Sequence, residues 1–167
     1  MISIIIVLYN SKSHIYNCLN SIVHSTIENK YELILVNNNP NDNYLFDDEI
    51  LKEENIINLE KNIGYSAAIN KGVLHSNGDI ILTLNPDVIL GENTIADLIN
   101  VLLSNDSFGV IGGKALDENL KFQLSSIRRF PHVSTLLTKF ISFLTNKQLN
   151  MYNYFDIDNK KIQYVDS

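Results

Sequence analysis

Apolar and polar positions fall into blocks along this chain, and the blocks change period in a regular order. Residues 2–8 are β-branched or apolar almost without interruption. The run is too short for a helix and lacks alternation, so it predicts a strand buried on both faces. Ser11 and Ser13 stand where helix N-caps belong, ahead of Ile15, Leu19, Ile22 and Val23 at helical spacing. Residues 31–36 predict a second strand, closed by the turn-rich run 37–43, and residues 55–59 a short third. Residues 65–76 predict a helix, introduced by Asn62, Ile63 and Gly64 and stopped by Asn77-Gly78. Residues 79–84 predict a fourth strand that ends abruptly at Asn85, Pro86 and Asp87. Ile95, Leu98, Ile99, Leu102 and Leu103 mark an amphipathic helix, and residues 108–111 a fifth strand before Gly112 and Gly113.

Strands that alternate with helices predict an α/β fold, a Rossmann-like, mostly parallel sheet with helices on both faces. Ligands of such sheets bind beyond the C-terminal ends of the strands. That rule selects Leu8-Tyr9-Asn10, Val36-Asn37-Asn38 and Asn85-Pro86-Asp87, each a polar cluster that follows a strand. After Lys114 the clean periodicity is lost, which divides the chain into 1–113 and 114–167. In the second region Val133, Leu136, Leu137, Phe140, Ile141 and Leu144 form another helical stripe, and residues 162–165 a final weak strand.

Composition changes this picture little. Of 167 residues, 45% are hydrophobic and 19% charged, an ordinary globular mixture with enough apolar surface for one core. A net charge of −6, with Arg128-Arg129 the one adjacent arginine pair, excludes a nucleic-acid-binding surface. The single cysteine, Cys18, excludes an intrachain disulfide and is expected as a small buried residue on the apolar side of its helix. The apolar start has no basic region and no small-residue cleavage site, so it is expected as a strand and not as a signal peptide. No apolar run reaches the roughly 18 residues of a membrane span. The expected location is the cytoplasm, with peripheral attachment to the inner membrane face as an option.

Several chemistries are excluded by missing motifs. There is no glycine-rich phosphate loop of the dinucleotide or P-loop kind and no nucleophile elbow. His14, His24, His75 and His132 show no ligand spacing and are expected at the surface or at helix ends. Asp87 is the one carboxylate at a strand end suited to Mg²⁺ or Mn²⁺, which accept one or two protein carboxylates when substrate phosphates supply other ligands. The competing reading is that Asp87 caps the turn after Pro86.

The run NIGYSAAINKG at 62–72, followed by GDIILTLNPDV at 78–88, resembles the family 2 glycosyltransferases of GT-A fold. It is most similar to their rhamnosyltransferase-like branch, with its N-x-G-[FY]-x-x-A-x-N-x-G and L-N-P-D patterns. The opening IIIVLYNS at 4–11 and QLSSIRRFP at 123–131 resemble further family segments in the same order. The resemblance implies that Tyr9 and Asn37 border the nucleotide base and that Asn62 and Gly64 line the nucleotide pocket. Asn85 and Asp87 then occupy the family's D-x-D position, with Asp87 holding the metal. For Asn70 and Gly72 a structural role, close packing, is the better expectation. On this view 1–113 is the nucleotide-sugar-binding domain and 114–167 an incomplete start of the acceptor side.

Two departures qualify the resemblance. Relatives typically carry Asp where Asn37 stands, and a carboxamide accepts a base N–H without charge assistance. The family's acceptor segment and its carboxylate base have no counterpart here, so no catalytic residue is assigned. Asp117, Glu118, Asp156, Asp158 and Asp166 match no motif and are expected as solvated charges. The implied activity is metal-dependent, inverting transfer from a nucleotide-sugar, dTDP-rhamnose or a UDP-hexose, to a glycan or lipid-linked acceptor in cell-surface polysaccharide synthesis. The alternative is a non-catalytic nucleotide-binding module, or a split-gene remnant that needs a partner chain. A receiver-like domain is excluded because Leu8-Tyr9-Asn10, not an acidic cluster, follows the first strand.

The stripe over 133–145 leads to the first prediction. Full burial of each such side chain is worth roughly 1.5–3 kcal/mol, and Lys139 adds too little charge for electrostatic membrane attachment. A homodimer through this helix is expected. Sedimentation of the wild type beside a Leu137→Glu, Phe140→Glu double variant checks it; a wild-type monomer at concentrations where dimers of this kind persist refutes it.

Overall fold

The structure, a computed structural model, describes residues 1–44, 46, 55–117 and 119–123. The chain divides into a first unit, Met1–Ser104, and a second that begins at Asn105, ahead of the sequence-based boundary at 113. The helix expected over 133–145, the strand over 162–165, Glu118, His132 and the arginine pair lie outside the described residues.

The first unit runs β1 (Ile2–Leu8), α1 (Ile15–Val23), β2 (Tyr31–Asn37), β3 (Ile56–Asn58), α2 (Tyr65–Leu74), β4 (Ile80–Leu84) and α3 (Thr94–Leu103). The four strands form one parallel sheet in the order β3-β2-β1-β4. β1 is central, paired with β2 from Ile2↔Tyr31 to Leu8↔Asn37 and with β4 from Ile2↔Ile80 to Ile6↔Leu84. Each of its residues is buried, as expected of a strand covered on both faces.

Alternation sorts these side chains to two cores. Ile2, Ile4, Ile6 and Leu8 pack with Leu33 and Leu35 of β2, Leu84 of β4, Ile15, Leu19 and Ile22 of α1, and Ile95 and Ile99 of α3. Ile5 and Val7 pack on the other face with Ile34, Val36 and Ala68 of α2. The expected helices on both faces are therefore present.

Gly72 meets this second core closely. A Cβ there would lie 2.5 Å from Ile5 Cγ2 and 3.3 Å from Val36 Cγ2, so the glycine lets α2 approach the sheet. Asn70, on the same helix, is exposed and makes no side-chain hydrogen bond among the described residues, so the packing role holds for Gly72 and not for Asn70.

Three local expectations are corrected. Neither Ser11 nor Ser13 caps α1 with its side chain. His14 is the N-cap, Ser11 offers only its carbonyl to His14 and Ile15, and its hydroxyl is spent on Tyr9. Gly78 is not a left-handed helix stop, since α2 ends at His75 in right-handed geometry and Gly64 is the one glycine at positive φ among the described residues. Gly78 is required instead because a Cβ would lie 2.5 Å from Ser3 Oγ and 2.6 Å from Ser3 N. Residues 108–111 form no strand. Asn105 folds the chain into a turn through Ser107 and Phe108, Val110 is 89% exposed, and Gly109 leaves little side chain to bury.

In the second unit the described residues form a small hairpin around the bridge Leu116↔Phe122. Asp117 is not a merely solvated charge there. Its Oδ1 accepts the Asn119 and Lys121 N–H groups at 2.9 Å each and closes the turn in which Leu120 has φ 60°. Among the described residues no helix is long and apolar enough to cross a membrane.

The N-terminal edge of the sheet is tied by one carboxylate. Glu32 accepts from Ser3 Oγ at 2.5 Å and from the Asn77 backbone and side chain at 2.6 and 3.1 Å. Burial alone would raise the Glu32 carboxyl, but the hydrogen bonds from Ser3, Asn77 and Gly78 outweigh it and hold the group below its ordinary value. A depressed folded-state pKa adds stability above the unfolded-state value, and that stability is lost as pH falls through the folded-state value. Wild type is therefore expected to exceed Glu32→Gln in denaturant midpoint at neutral pH. The gap should close as the solution is acidified below the normal carboxylate range; a gap independent of pH refutes the assignment.

Candidate functional site

Because the sheet is parallel, β1, β2 and β4 all deliver their C-terminal ends to one edge, and each passes from buried apolar residues to polar ones within a residue or two. Tyr9 follows β1 and is 52% exposed. Its own N–H donates to Ser11 Oγ at 3.0 Å, and that hydroxyl donates back to the Tyr9 carbonyl at 3.1 Å. The next residue, Asn10, has φ 53°, a left-handed conformation that asparagine tolerates better than most residues.

Asn37 ends β2 and is only 3% exposed. Its carboxamide is engaged at both ends: Nδ2 donates to the Asp42 carbonyl and to Asn58 Oδ1, each at 3.0 Å, while Oδ1 accepts the Asn39 N–H at 3.2 Å. The backbone partners fix the amide orientation, because a carbonyl must meet the NH₂ end and an N–H must meet the oxygen. An aspartate could not make the bond to the Asp42 carbonyl. The asparagine that looks like a weakened base reader in the sequence is thus also a structural clamp between β2, β3 and the following loop.

Asn38, equally buried, reaches the next segment. Its Nδ2 donates to Asn62 Oδ1 at 3.1 Å, and its Oδ1 accepts the Ile63 N–H at 2.9 Å. Asn62 Oδ1 also accepts the Gly64 N–H at 2.8 Å. Gly64 is the N-cap of α2, with φ 84° and no neighbour within 4 Å of a hypothetical Cβ. It is required for its backbone conformation, not for lack of space.

Asn85 and Asp87 follow β4. Asn85 Oδ1 accepts from the Tyr65 hydroxyl at 3.4 Å, and burial raises the pKa of that phenol, which keeps it a donor. The Asn85 carbonyl accepts the Val88 N–H at 3.3 Å and faces Cys18 Sγ at 3.6 Å. α1 braces this turn further on, where Ser21 Oγ accepts the Leu90 N–H at 3.1 Å. The Asp87 carboxylate is exposed and has no hydrogen bond or ion pair among the described residues, so it does not cap its turn. No group of three His, Cys, Asp or Glu side chains that could hold a metal exists among the described residues. A single unencumbered carboxylate fits Mg²⁺ or Mn²⁺ bound jointly with a diphosphate, and does not fit a cage made wholly of protein.

The fold thus gathers Tyr9, Asn37, Asn62, Gly64, Asn85 and Asp87 along one edge of one sheet. Direct links join Asn38 to Asn62 and Tyr65 to Asn85. Of the residues that carry much of the network, Asn10 and Asn38 stood in the strand-end clusters, Asp42 in the turn-rich run 37–43 and Asn58 in the expected third strand, and none was singled out for these bonds; a buried strand running straight into consecutive asparagines was the available sign. Of the histidines, His14, His24 and His75 lie exposed at helix ends, as expected.

Comparison with known proteins bears on the family and the fold. The family model described as glycosyl transferase family 2 matches residues 3–160. The poly-beta-1,6-N-acetyl-D-glucosamine synthase of Staphylococcus epidermidis is 22% identical over 138 residues, 81% of this chain and 33% of that protein. The poly(ribitol-phosphate) beta-glucosyltransferase of Bacillus spizizenii is 31% identical over 120 residues, 66% of this chain and 18% of that protein. The chain therefore spans a third or less of the length of these relatives. Crystal structures of S. aureus TarS 1-349 share the fold. The complex with UDP-GlcNAc has a TM-score of 0.51 at 22% identity, covering 68% of this chain and 37% of that one.

Cys18 supplies a test of the geometry beneath Asp87. Burial first, and the nearby negative charge of Asp87 second, push its thiol up to about 11. A thiol-specific disulfide reagent is expected to leave Cys18 unmodified in the native chain and to react with it promptly after denaturation. Rapid labelling of the native chain at neutral pH refutes the placement.

Proposed function

The chain belongs to glycosyl transferase family 2, and on that premise we propose that it forms the donor-binding part of an inverting glycosyltransferase of cell-surface polysaccharide synthesis. The observation that carries this reading is the exposed, unpartnered Asp87 carboxylate on the same sheet edge as Tyr9, Asn37, Asn62, Gly64 and Asn85. Those five residues border the nucleotide of the donor. Asp87 would hold Mg²⁺ or Mn²⁺, whose chemistry is to offset the charge that develops on the leaving diphosphate. Asn85, fixed by Tyr65, keeps a neutral oxygen beside that carboxylate.

In the transfer, an acceptor hydroxyl oxygen forms a bond to the anomeric carbon from the face opposite the diphosphate. The bond from that carbon to the diphosphate oxygen breaks, and the hydroxyl proton passes to a base. No described residue is assigned as that base. The acceptor is a glycan or a lipid-linked chain, met at the inner face of the membrane. The L-N-P-D pattern at 84–87 favours dTDP-rhamnose as donor, whereas the similarity to a glucosyltransferase and an N-acetylglucosamine polymer synthase favours a UDP-hexose. The second has sequence identity of 31% behind it and is the better reading.

Calorimetry with UDP and with dTDP, each with and without Mn²⁺, tests the proposal. UDP is expected to bind weakly and only with the metal, and Asp87→Ala should abolish the metal dependence while the chain stays folded. Equal affinity with and without Mn²⁺ in both proteins refutes the metal role, and failure of either nucleotide to bind refutes donor binding.

A further inference from the structure

Asp42 lies in the loop after β2, and its side chain is 16% exposed. It is tied to the loop after β1 by two routes. Its Oδ2 accepts the Asn10 N–H at 3.0 Å. The same oxygen accepts the Tyr44 hydroxyl at 3.1 Å, and the Tyr44 oxygen in turn accepts the Ser11 N–H at 3.1 Å. Ser11 holds both backbone groups of Tyr9 through its own hydroxyl. Consecutive amides on either side of the left-handed Asn10 therefore end, directly or through one phenol, on a single carboxylate oxygen. Lys12 Nζ stands 3.8 Å from the other oxygen and 5.7 Å from the Tyr44 ring. The Asp42 backbone is fixed as well, because its carbonyl accepts Asn37 Nδ2.

Asn10 cannot hold φ 53° unaided without strain, and its side-chain oxygen, which accepts from Asn39 Nδ2 at 2.9 Å, supplies only part of the restraint. We propose that Asp42 is a positioning residue for the donor nucleotide: it sets the Tyr9–Asn10–Ser11 turn and so fixes Tyr9 relative to Asn37 across the ends of β1 and β2. The proposal rests on the donor-binding reading above. It assigns Asp42 no contact with the ligand. It accounts for a carboxylate at this position, since one acceptor oxygen must serve two donors while its twin faces a lysine. An asparagine could keep the shared oxygen in place; its NH₂ would replace the oxygen that faces Lys12, and the half-exposed lysine can turn away from it.

The experiment compares wild type with Asp42→Ala, Asp42→Asn, Tyr44→Phe, Tyr9→Ala and the Asp42→Ala, Tyr9→Ala double variant. UDP affinity is measured by calorimetry in Mn²⁺, and amide exchange is measured on the free proteins. Asp42→Ala is expected to weaken UDP by about tenfold, the scale of losing one hydrogen bond to a charged group. It should release the Asn10 and Ser11 amides to exchange while the amides of β1 stay protected. Asp42→Asn should bind nearly as wild type. In the Tyr9→Ala background, Asp42→Ala should weaken binding no further, because its effect passes through Tyr9.

Should Asp42→Ala fail to fold, Tyr44→Phe cuts the second route alone, and it too should weaken UDP only when Tyr9 is present. Wild-type affinity in Asp42→Ala with its two amides released overturns the inference, as do losses from Asp42 and Tyr9 that add in full. Both results leave donor binding intact. A wild type that binds no UDP overturns the donor-binding reading itself and this inference with it.

Discussion

Strand β1 has no face toward water, and the rest of the described fold follows from that. All seven of its residues are buried, so its backbone groups must find partners in strands on both edges and its side chains must find cover on both faces. β2 and β4 meet the first need, and α1 with α3 on one side and α2 on the other meet the second. Full burial of an isoleucine or leucine is worth roughly 1.5–3 kcal/mol, so β1 alone is a large stake in the fold. Two glycines are set by the same strand: Gly72, where α2 crosses Ile5, and Gly78, where the chain passes Ser3 at the start of β4. The polar edge is the outcome of this packing. Parallel strands that are apolar until they stop must release their polar residues together, at one end.

What was legible in the sequence is what periodicity encodes. The runs around Ile2–Leu8, Tyr31–Asn37, Ile56–Asn58 and Ile80–Leu84 read correctly because parallel strands buried on both faces look unlike anything else of their length. The helices read correctly from apolar residues at three- and four-residue steps. Residues 108–111 have the same local composition as a strand but lie beyond the unit whose core would have paired them, with Val110 left in water. Composition cannot show whether a neighbouring edge is available. Ser11 and Gly78 failed as local signals for a related reason. Each has a partner distant in sequence or different in kind from the one its neighbours suggest: the Tyr9 backbone for Ser11, and Ser3 for Gly78.

Which residues share the C-terminal edge of the sheet was legible in the sequence; the wiring among them was not. Tyr9, Asn37, Asn62, Gly64, Asn85 and Asp87 could be named from strand ends and from family likeness. That Asn37 spends both its N–H groups inside the protein, and that Asn38 carries the link to Asn62, depends on how loops fold over one another. Carboxamides suit this task because one group offers a donor and an acceptor in a fixed plane. A loop whose backbone presents a carbonyl at one end and an N–H at the other can be closed by an asparagine and not by an aspartate. The departure from aspartate at position 37 is thus explained by the loop it closes, whatever it does to a base.

The same substitution pattern bears on charge. At this edge the family-like positions 37 and 85 carry amides, Asp42 is committed to Asn10 and Tyr44, and the Asp87 carboxylate, next to Asn85, has no hydrogen bond or ion pair among the described residues. A hard divalent cation needs about six oxygen ligands, so a lone carboxylate cannot hold one well without other anionic oxygens. A diphosphate placed there without a cation would lie near the uncompensated charge of Asp87. In the proposed donor complex each ligand would remove the obstacle to the other. By linkage, whatever factor the cation contributes to nucleotide affinity, the nucleotide returns to cation affinity. Under the proposed donor and metal roles, a protein edge built mainly of neutral amides would make donor and metal binding a single event, with little tendency for either to bind alone.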